Sequence, residues 1–170
     1  MNISAIQFQR DDFVSQVEEV LSAAAIDTAL LELEVTESVV MRDVSVVVRR
    51  LRQLQDMGLC IAIDDFGTGY SSLQYLQQLP LDALKIDRSF IDRAEESKGG
   101  QALIETIISL AQHFNLRTVG EGIENQAQLD YLRRVGCNDA QGYFFARPMS
   151  AADIEQHCFL SDDSPVQFAA

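Results

Sequence analysis

The chain has 170 residues, of which 47% are hydrophobic and 23% charged, and its formal net charge is −13. This composition is ordinary for one soluble globular domain. The acidic balance argues against binding to duplex nucleic acid, whose phosphates are neutralised by Lys and Arg. No apolar run could span a bilayer, and the N-terminus lacks a basic segment followed by an apolar one. We therefore expect a cytoplasmic protein with no membrane contact in this segment.

Short β-rich apolar runs alternate along the chain with longer segments of helical periodicity. After a stub at Asn2–Ser4, the predicted strands are Leu31–Val35, Leu59–Ile63, Ala83–Ile86, Arg117–Val119 and Ala140–Phe145. The predicted helices are Asp11–Ala25, Asp43–Met57, Tyr70–Gln78, Gln101–Phe114, Asn125–Val135 and Ala151–Cys158. Asp43 and Asn125 stand at N-cap positions, and Gly58 stands at a C-cap position.

Repeated β/α units of this length predict a parallel sheet flanked by helices. An open doubly wound sheet and a closed eight-stranded barrel both fit the pattern. Polar residues at or near the C-terminal ends of five successive strands favour the barrel, because all those ends meet there in one mouth. In an open sheet only the strands beside the switch point would contribute. The predicted fold class is therefore α/β, a TIM-type (β/α)8 barrel.

A full barrel has eight strands and about 250 residues, whereas five strands and a stub can be recognised in this chain. We expect about six of the eight β/α units, with the barrel truncated at its N-terminus. In this interpretation residues 1–160 form a partial domain and residues 161–170 form a disordered tail.

The most specific local pattern is the pair Asp64-Asp65 at the end of a predicted strand, followed by a Gly/Thr/Ser loop that opens a helix. Adjacent side chains at a strand end can point to different sides, so the two carboxylates can serve two cations or bridge them. An Asp N-cap before a flexible turn explains the loop alone equally well. The loop is not the usual nucleotide-triphosphate loop, because no GK[ST] follows.

Other segments also place polar groups near strand ends, namely Glu34 with Glu37, Lys85 with Asp87, Glu121 with Glu124, and Gln141. Taken singly, they have structural explanations, such as a helix-start capping box or an ion pair. Together with Asp64 and Asp65 they would gather carboxylates that repel each other. Without clustered His or Cys, the cation expected to offset them is Mg²⁺ or Mn²⁺ rather than Zn²⁺. Paired divalent ions can activate water and stabilise the departing oxygen of a phosphodiester.

Five motifs, in the right order, are similar to those of the EAL domain family: LEVTES (33–38), DDFGTGYSSL (64–73), LKIDRSFI (84–91), GEGIEN (120–125) and GCNDAQGYFFARP (136–148). The resemblance extends from Asn2 to about Met149. It implies a phosphodiesterase that hydrolyses the bacterial second messenger cyclic di-GMP to linear pGpG, with two Mg²⁺ or Mn²⁺ ions in the complete domain.

The resemblance also implies roles for the metal-site residues. Asn2, in an N-x-S motif, is implied to bind one metal together with Glu34 and Asp64. The second-metal and water-activating group is implied to consist of Asp65, Asp87 and Glu121.

The remaining roles concern proton transfer and support of the site. Glu121 is implied to be the general base, and Lys85 to position the attacking water or the phosphate. Glu37 is implied to hold the DDFGTGYSS loop in its active conformation, while Glu124 and Gln141 complete the site.

The chain departs from the family pattern because it does not contain the Glu-Ala-Leu sequence from which the family takes its name. The resemblance implies that the Glu of that sequence is a metal ligand, so we expect impaired hydrolysis by this truncated chain. Two missing strands would leave open sheet edges, so we also expect marginal stability or a homodimer. The alternative function is a non-catalytic cyclic-di-GMP-binding or regulatory interaction module. An upstream sensor or GGDEF-type domain is expected in the parent protein.

Overall fold

The computed structural model describes residues 1–40, 44–67 and 76–159. Its strands are β1 (Asn2–Ile3), β2 (Glu32–Thr36), β3 (Cys60–Phe66), β4 (Ala83–Ile86), β5 (Arg117–Gly120) and β6 (Asp139–Ala140). Its helices are α1 (Ala5–Gln9), α2 (Phe13–Ala24), α3 (Glu37–Val40), α4 (Val44–Asp56), α5 (Arg88–Glu96), α6 (Lys98–His113), α7 (Gln126–Arg134) and α8 (Ala151–Phe159), with a 3-10 turn at Thr28–Leu30. None of the helices in these ranges is both long enough and apolar enough to cross a membrane.

The six strands form one sheet in the sequential order β1 to β6, and every neighbouring pair is parallel. The sheet is strongly curved, because Arg117 at the start of β5 contacts Glu32 at the start of β2 although β3 and β4 lie between those strands. A curved parallel sheet of consecutive β/α units confirms the predicted TIM-type α/β class. The described residues hold six of the eight strands that such a barrel contains.

The core lies between the sheet and its helices, and it is built mainly from apolar side chains of both. β4 is buried at all four positions, as expected for a strand covered on both faces. In α4 the buried residues Val47, Leu51 and Leu54 fall on the predicted helical stripe. Arg50 is also buried in α4, where its guanidinium donates to the carbonyl oxygen of Phe8 and to Asp11.

The ends of the elements show where local sequence fixes the backbone. Gly58 adopts φ +89° between α4 and β3, as expected for its C-cap position. Asn125 caps α7, because its side chain accepts a hydrogen bond of 2.9 Å from the amide of Gln128. The predicted cap Asp43 and residues 70–75 of the predicted helix Tyr70–Gln78 lie outside the described residues.

Several elements differ from the sequence prediction, which contains neither of the short helices α1 and α3. The prediction omits α5, which begins directly after β4 and is capped by Asp87, whose carboxylate accepts from the amide of Ser89 at 3.0 Å. β6 spans Asp139–Ala140 rather than Ala140–Phe145. After β6 the chain packs against the loop that follows β5, and Gly142 lies so close to Ile123 that a Cβ there would be 2.2 Å from the Ile123 amide nitrogen.

Candidate metal centre

The C-terminal ends of the strands meet around the buried side chain of Lys85. Its ammonium group on β4 lies 2.8 Å from Glu34 of β2, 3.5 Å from Asp64 of β3 and 2.6 Å from Glu121, which follows β5. Only 3% of Lys85 is exposed, so these carboxylates are its electrostatic environment. The curvature of the sheet therefore brings together four residues that are far apart in sequence, as the barrel prediction requires.

Asn2 joins this cluster from β1. The terminal amide atom of Asn2 that faces the carboxylates lies 3.0 Å from Oε2 of Glu34 and 3.3 Å from Oδ2 of Asp64. As a nitrogen, it donates a hydrogen bond to each carboxylate. With the amide turned so that its oxygen faces them, the three side chains would present three oxygen ligands to a shared cation.

An irregularity in β3 changes the direction of the Asp65 side chain relative to that of Asp64. The register between β3 and β4 shifts between Ile63 and Phe66, and Asp65 adopts φ +54°. Such a bulge re-aims side chains at a strand end. One carboxylate oxygen each from Asp64, Asp65 and Glu121 consequently lies within 4.8 Å of the others, a group that could hold a metal ion. Asp64 thus belongs to two adjacent oxygen clusters.

The pKa values of the rim residues reflect burial and crowding of charge. Burial raises the pKa of Glu121, and its contact with Lys85 opposes this rise. The pKa of Asp65 is also raised, by burial first and then by the charges of Asp64 and Asp87. Burial alone would lower the pKa of Lys85, but its hydrogen bonds to Glu121 and Glu34 outweigh burial and raise it. The site therefore carries more negative charge than one lysine can neutralise.

Of two further predicted residues, one contacts the rim directly and the other contacts the backbone just after β3. Gln141, just after β6, donates from Nε2 to Oε1 of Glu121 at 3.2 Å. Glu37 is buried at the start of α3 and accepts from the amide of Gly67 at 3.0 Å. The structure thus joins Glu37 to Gly67 in the DDFGTGYSS segment that it was predicted to hold, while residues 68–72 of that segment lie outside the described ranges.

Asp87 and Glu124, unlike the other predicted carboxylates, make their hydrogen bonds with residues of α5. The Asp87 carboxylate caps α5, and it is near enough to raise the pKa of Asp65. Glu124 lies farther along the loop after β5, where it is nearly half exposed and pairs with Arg88 at 2.5 Å. The sequence interpretation overlooks Arg88, although its position directly after Asp87 in the LKIDRSFI segment places it beside the same rim.

The donor chemistry of this rim fits hard divalent cations. The groups that converge are carboxylates and one amide, and oxygen donors of this kind suit Mg²⁺ and Mn²⁺ better than Zn²⁺. Fold and site together define an α/β barrel fold with a carboxylate-rich centre, suited to cations, at the C-terminal ends of its strands, where such barrels carry their active sites.

Comparison with known proteins identifies the family. The EAL domain profile matches residues 1–148, and the chain belongs to that family. It is 44% identical over 154 residues to the bifunctional diguanylate cyclase/cyclic di-GMP phosphodiesterase MucR of Pseudomonas aeruginosa, which covers 91% of this chain and 22% of MucR. The chain spans about a fifth of the length of the curated relatives it matches.

Solved structures show the same fold. The PaMucR phosphodiesterase in complex with c-di-GMP matches with a TM-score of 0.86 at 44% identity, over 90% of this chain and 62% of that one. Klebsiella pneumoniae BlrP1, solved as a manganese/cyclic-di-GMP complex, matches with a TM-score of 0.79 at 29% identity, over 87% of this chain and 38% of that one. Structures of this family have therefore been determined with the nucleotide and with manganese.

Proposed function

We propose that this chain carries the metal-binding and water-activating part of a cyclic di-GMP phosphodiesterase that produces linear pGpG. The observation that carries the proposal is the gathering of Glu34, Asp64 and Glu121 around Lys85 at one rim of the sheet. Family membership and the nucleotide complex of the similar MucR domain support the choice of substrate.

Two adjacent metal positions are proposed. Asn2, Glu34 and Asp64 would hold one ion, and Asp65, Asp87 and Glu121 would hold a second. Mg²⁺ and Mn²⁺ are the proposed ions, and the manganese complex of BlrP1 supports the second of them. When bound, such ions lower the pKa of water and stabilise the negative charge on the oxygen that leaves phosphorus.

The chain's own groups have distinct tasks in this proposal. Glu121 accepts a proton from the attacking water, since burial raises the pKa of this carboxylate towards that of a useful base. Lys85 keeps its proton, because its hydrogen bonds to Glu121 and Glu34 raise its pKa, and its positive charge orients water or a phosphate oxygen. As water attacks phosphorus, the bond to the ribose 3′ oxygen breaks and that oxygen takes up a proton.

Supporting tasks are proposed for three residues around this centre. Gln141 orients the Glu121 carboxylate through its 3.2 Å hydrogen bond. Glu37 fixes the start of the loop after β3 through the amide of Gly67. Glu124 contributes to the wall of a cavity of about 320 Å³ that Glu121 and Gln141 also line.

The test is to incubate the chain, and in parallel the natural protein that carries it, with cyclic di-GMP and Mn²⁺ or Mg²⁺, and to separate the products by chromatography. We expect metal-dependent formation of pGpG that Glu121→Gln abolishes, with slower turnover by the chain alone. Calorimetric binding of cyclic di-GMP without any pGpG would instead favour the non-catalytic receptor. If the natural protein neither binds nor hydrolyses cyclic di-GMP, the proposal is wrong.

The wider context is proposed from the relatives. They are several times longer than this chain, and MucR is described as a diguanylate cyclase as well, which supports a GGDEF-type or sensor domain in the natural protein. A homodimer, the cytoplasmic location, the absence of duplex nucleic acid as a partner, and the disorder of residues 161–170 stay predictions from the sequence.

A further inference from the structure

The loop after β5, residues 121–125, carries the proposed base and packs against Arg88, the first residue of α5. Gly122 in this loop has φ +70°, and a Cβ built on it would lie 2.7 Å from Cβ and Cγ of Arg88. The loop backbone therefore runs directly over the aliphatic part of the arginine. A side chain at position 122 would push the two apart.

The guanidinium of Arg88 extends this contact to the end of the loop. Its Nη1 donates to Oε1 of Glu124 at 2.5 Å, and its Nε donates to Asp92, one turn along α5, at 3.2 Å. Arg88 also follows Asp87, which caps α5. One residue thus connects the junction that carries Asp87 to the loop that carries Glu121.

A second anchor holds the same loop from the helical side. Gln128 of α7 is buried, accepts from the amide of Glu124 at 2.8 Å and donates to Glu95 of α5 at 2.9 Å. Both anchors therefore connect the loop to α5. Arg88 holds it beside the cavity that contains Glu121, and Gln128 holds it where α7 begins.

We propose that Arg88 is a positioning residue for hydrolysis, which holds the loop at 121–125 so that the Glu121 carboxylate stays beside Lys85 and Asp64. This inference rests on the proposed function. The ion pairs of Arg88 are about half exposed, and such pairs contribute little to folding. The reaction rate is far more sensitive to the position of the loop, since displacing a catalytic group by about 1 Å can lower the rate on the order of 100-fold. The role therefore shows in turnover rather than in stability.

The experiment compares Arg88→Ala, Arg88→Lys and the matched control Asp92→Asn in the natural protein that carries this sequence. Asp92→Asn removes the neighbouring ion pair of Arg88 but leaves its contact with Glu124. We expect Arg88→Ala to lower kcat by about 10- to 100-fold with KM little changed. Arg88→Lys should recover part of the loss, and Asp92→Asn should stay close to wild type.

A second readout does not depend on catalysis. Amide hydrogen exchange in residues 121–125, followed by mass spectrometry, should become faster in Arg88→Ala by about tenfold or more and stay unchanged in Asp92→Asn. If the wild type does not hydrolyse cyclic di-GMP, the proposed function fails, and this exchange measurement still decides the role of Arg88.

Three results would overturn the positioning role of Arg88. A rise in KM with kcat unchanged would mean that Arg88 contacts substrate from the cavity wall, and would overturn the positioning role. Unchanged kcat together with unchanged exchange would overturn it as well. So would a loss of activity matched by a large fall in Tm, since that would mark a residue needed for folding.

Discussion

The two ends of the same parallel sheet both carry charged clusters, but the clusters differ in balance and burial. At the N-terminal end, Arg117 is nearly half exposed and bridges Glu32 and Asp139, with 2.6 Å to the latter. At the C-terminal end, the buried Lys85 lies against three carboxylates. The first cluster is a solvated ion bridge, and the second is a buried centre with surplus negative charge.

The difference teaches that burial of surplus negative charge, rather than charge alone, distinguishes the C-terminal end of this fold, because Arg117 also faces two carboxylates but does so in contact with solvent. Asp65 adds a further carboxylate to the C-terminal cluster, and the pKa values of Asp65 and Glu121 are both raised there. A folded chain keeps crowded, partly buried carboxylates at a cost in stability, and a cation can offset that cost. The cluster around Arg117 needs no such partner.

Replacing one carboxylate at each end gives the sharpest contrast. Glu121→Gln keeps the shape of the side chain but cannot accept a proton, so we expect hydrolysis of cyclic di-GMP to fall by about 10²- to 10⁴-fold. Glu32→Gln, at the other end of the sheet, should leave turnover near wild type. Equal losses in chromatographic assays of the two variants would erase the distinction between the ends.

Replacing the positively charged side chain at each end of the sheet tests how much each cluster contributes to stability. Lys85→Met leaves its partly buried carboxylates facing one another, and we expect a loss of about 3 kcal/mol in chemical denaturation without metal. Arg117→Met should cost about 1 kcal/mol or less, because its pairs are solvated. Added Mn²⁺ should raise the free energy of unfolding of Lys85→Met more than that of wild type, since the ion can replace the lost positive charge.

The pH dependence of the Lys85 contribution follows from the direction of its pKa shift. The pKa of Lys85 is higher in the folded chain than its ordinary value. Its stabilisation is therefore complete below the ordinary lysine pKa and is lost only as pH rises through the folded-state pKa. The stability difference between wild type and Lys85→Met should consequently stay flat between about pH 8 and 9.5, above the range in which the unpaired carboxylates of the variant take up protons. A steep change within that range would contradict this assignment.

Two glycines with positive φ provide the mildest comparison. Gly122 near the C-terminal rim has φ +70°, and Gly136 before β6 has φ +85°. An alanine at either position should cost about 1–2 kcal/mol from its left-handed backbone. A Cβ at Gly122 would also meet Arg88 at 2.7 Å, whereas at Gly136 the nearest atom would be 3.4 Å away. Only Gly122→Ala should therefore also lose turnover, by roughly tenfold; similar kcat values for the two variants would disagree with this.

The sequence predicts the fold and the rim well, for identifiable physical reasons. The strand Ala83–Ile86 is apolar except for Lys85, and its predicted bounds match the structure at both ends. Because parallel strands place their C-terminal ends together, Glu34, Asp64, Lys85 and Glu121 could be expected to meet without any knowledge of distances. The structure places these four together.

What the sequence does not reveal depends on tertiary contacts. Glu124 lies 36 residues from its partner Arg88, and Glu32 lies 85 residues from its partner Arg117, so no local pattern predicts these two pairs. The pairing of Glu124, which was expected to complete the site, with Arg88 beside the cavity that contains Glu121 was not foreseen. The omitted helix α5 did have a local signal, since Asp87 stands at its N-cap and Phe90, Ile91 and Ala94 form its buried face. Because a single residue lies between the end of β4 and the start of α5, no loop sequence separates the helix from the strand and marks where it begins.

The most direct test is the anomalous diffraction of Mn²⁺ in crystals grown with this ion. We predict density between the carboxylates of Glu34, Asp64, Asp65 and Glu121, and none beside Glu32 and Asp139. Manganese bound at the N-terminal end, or a C-terminal rim that stays free of metal at saturating Mn²⁺, would contradict the claim that surplus negative charge makes this rim a cation site.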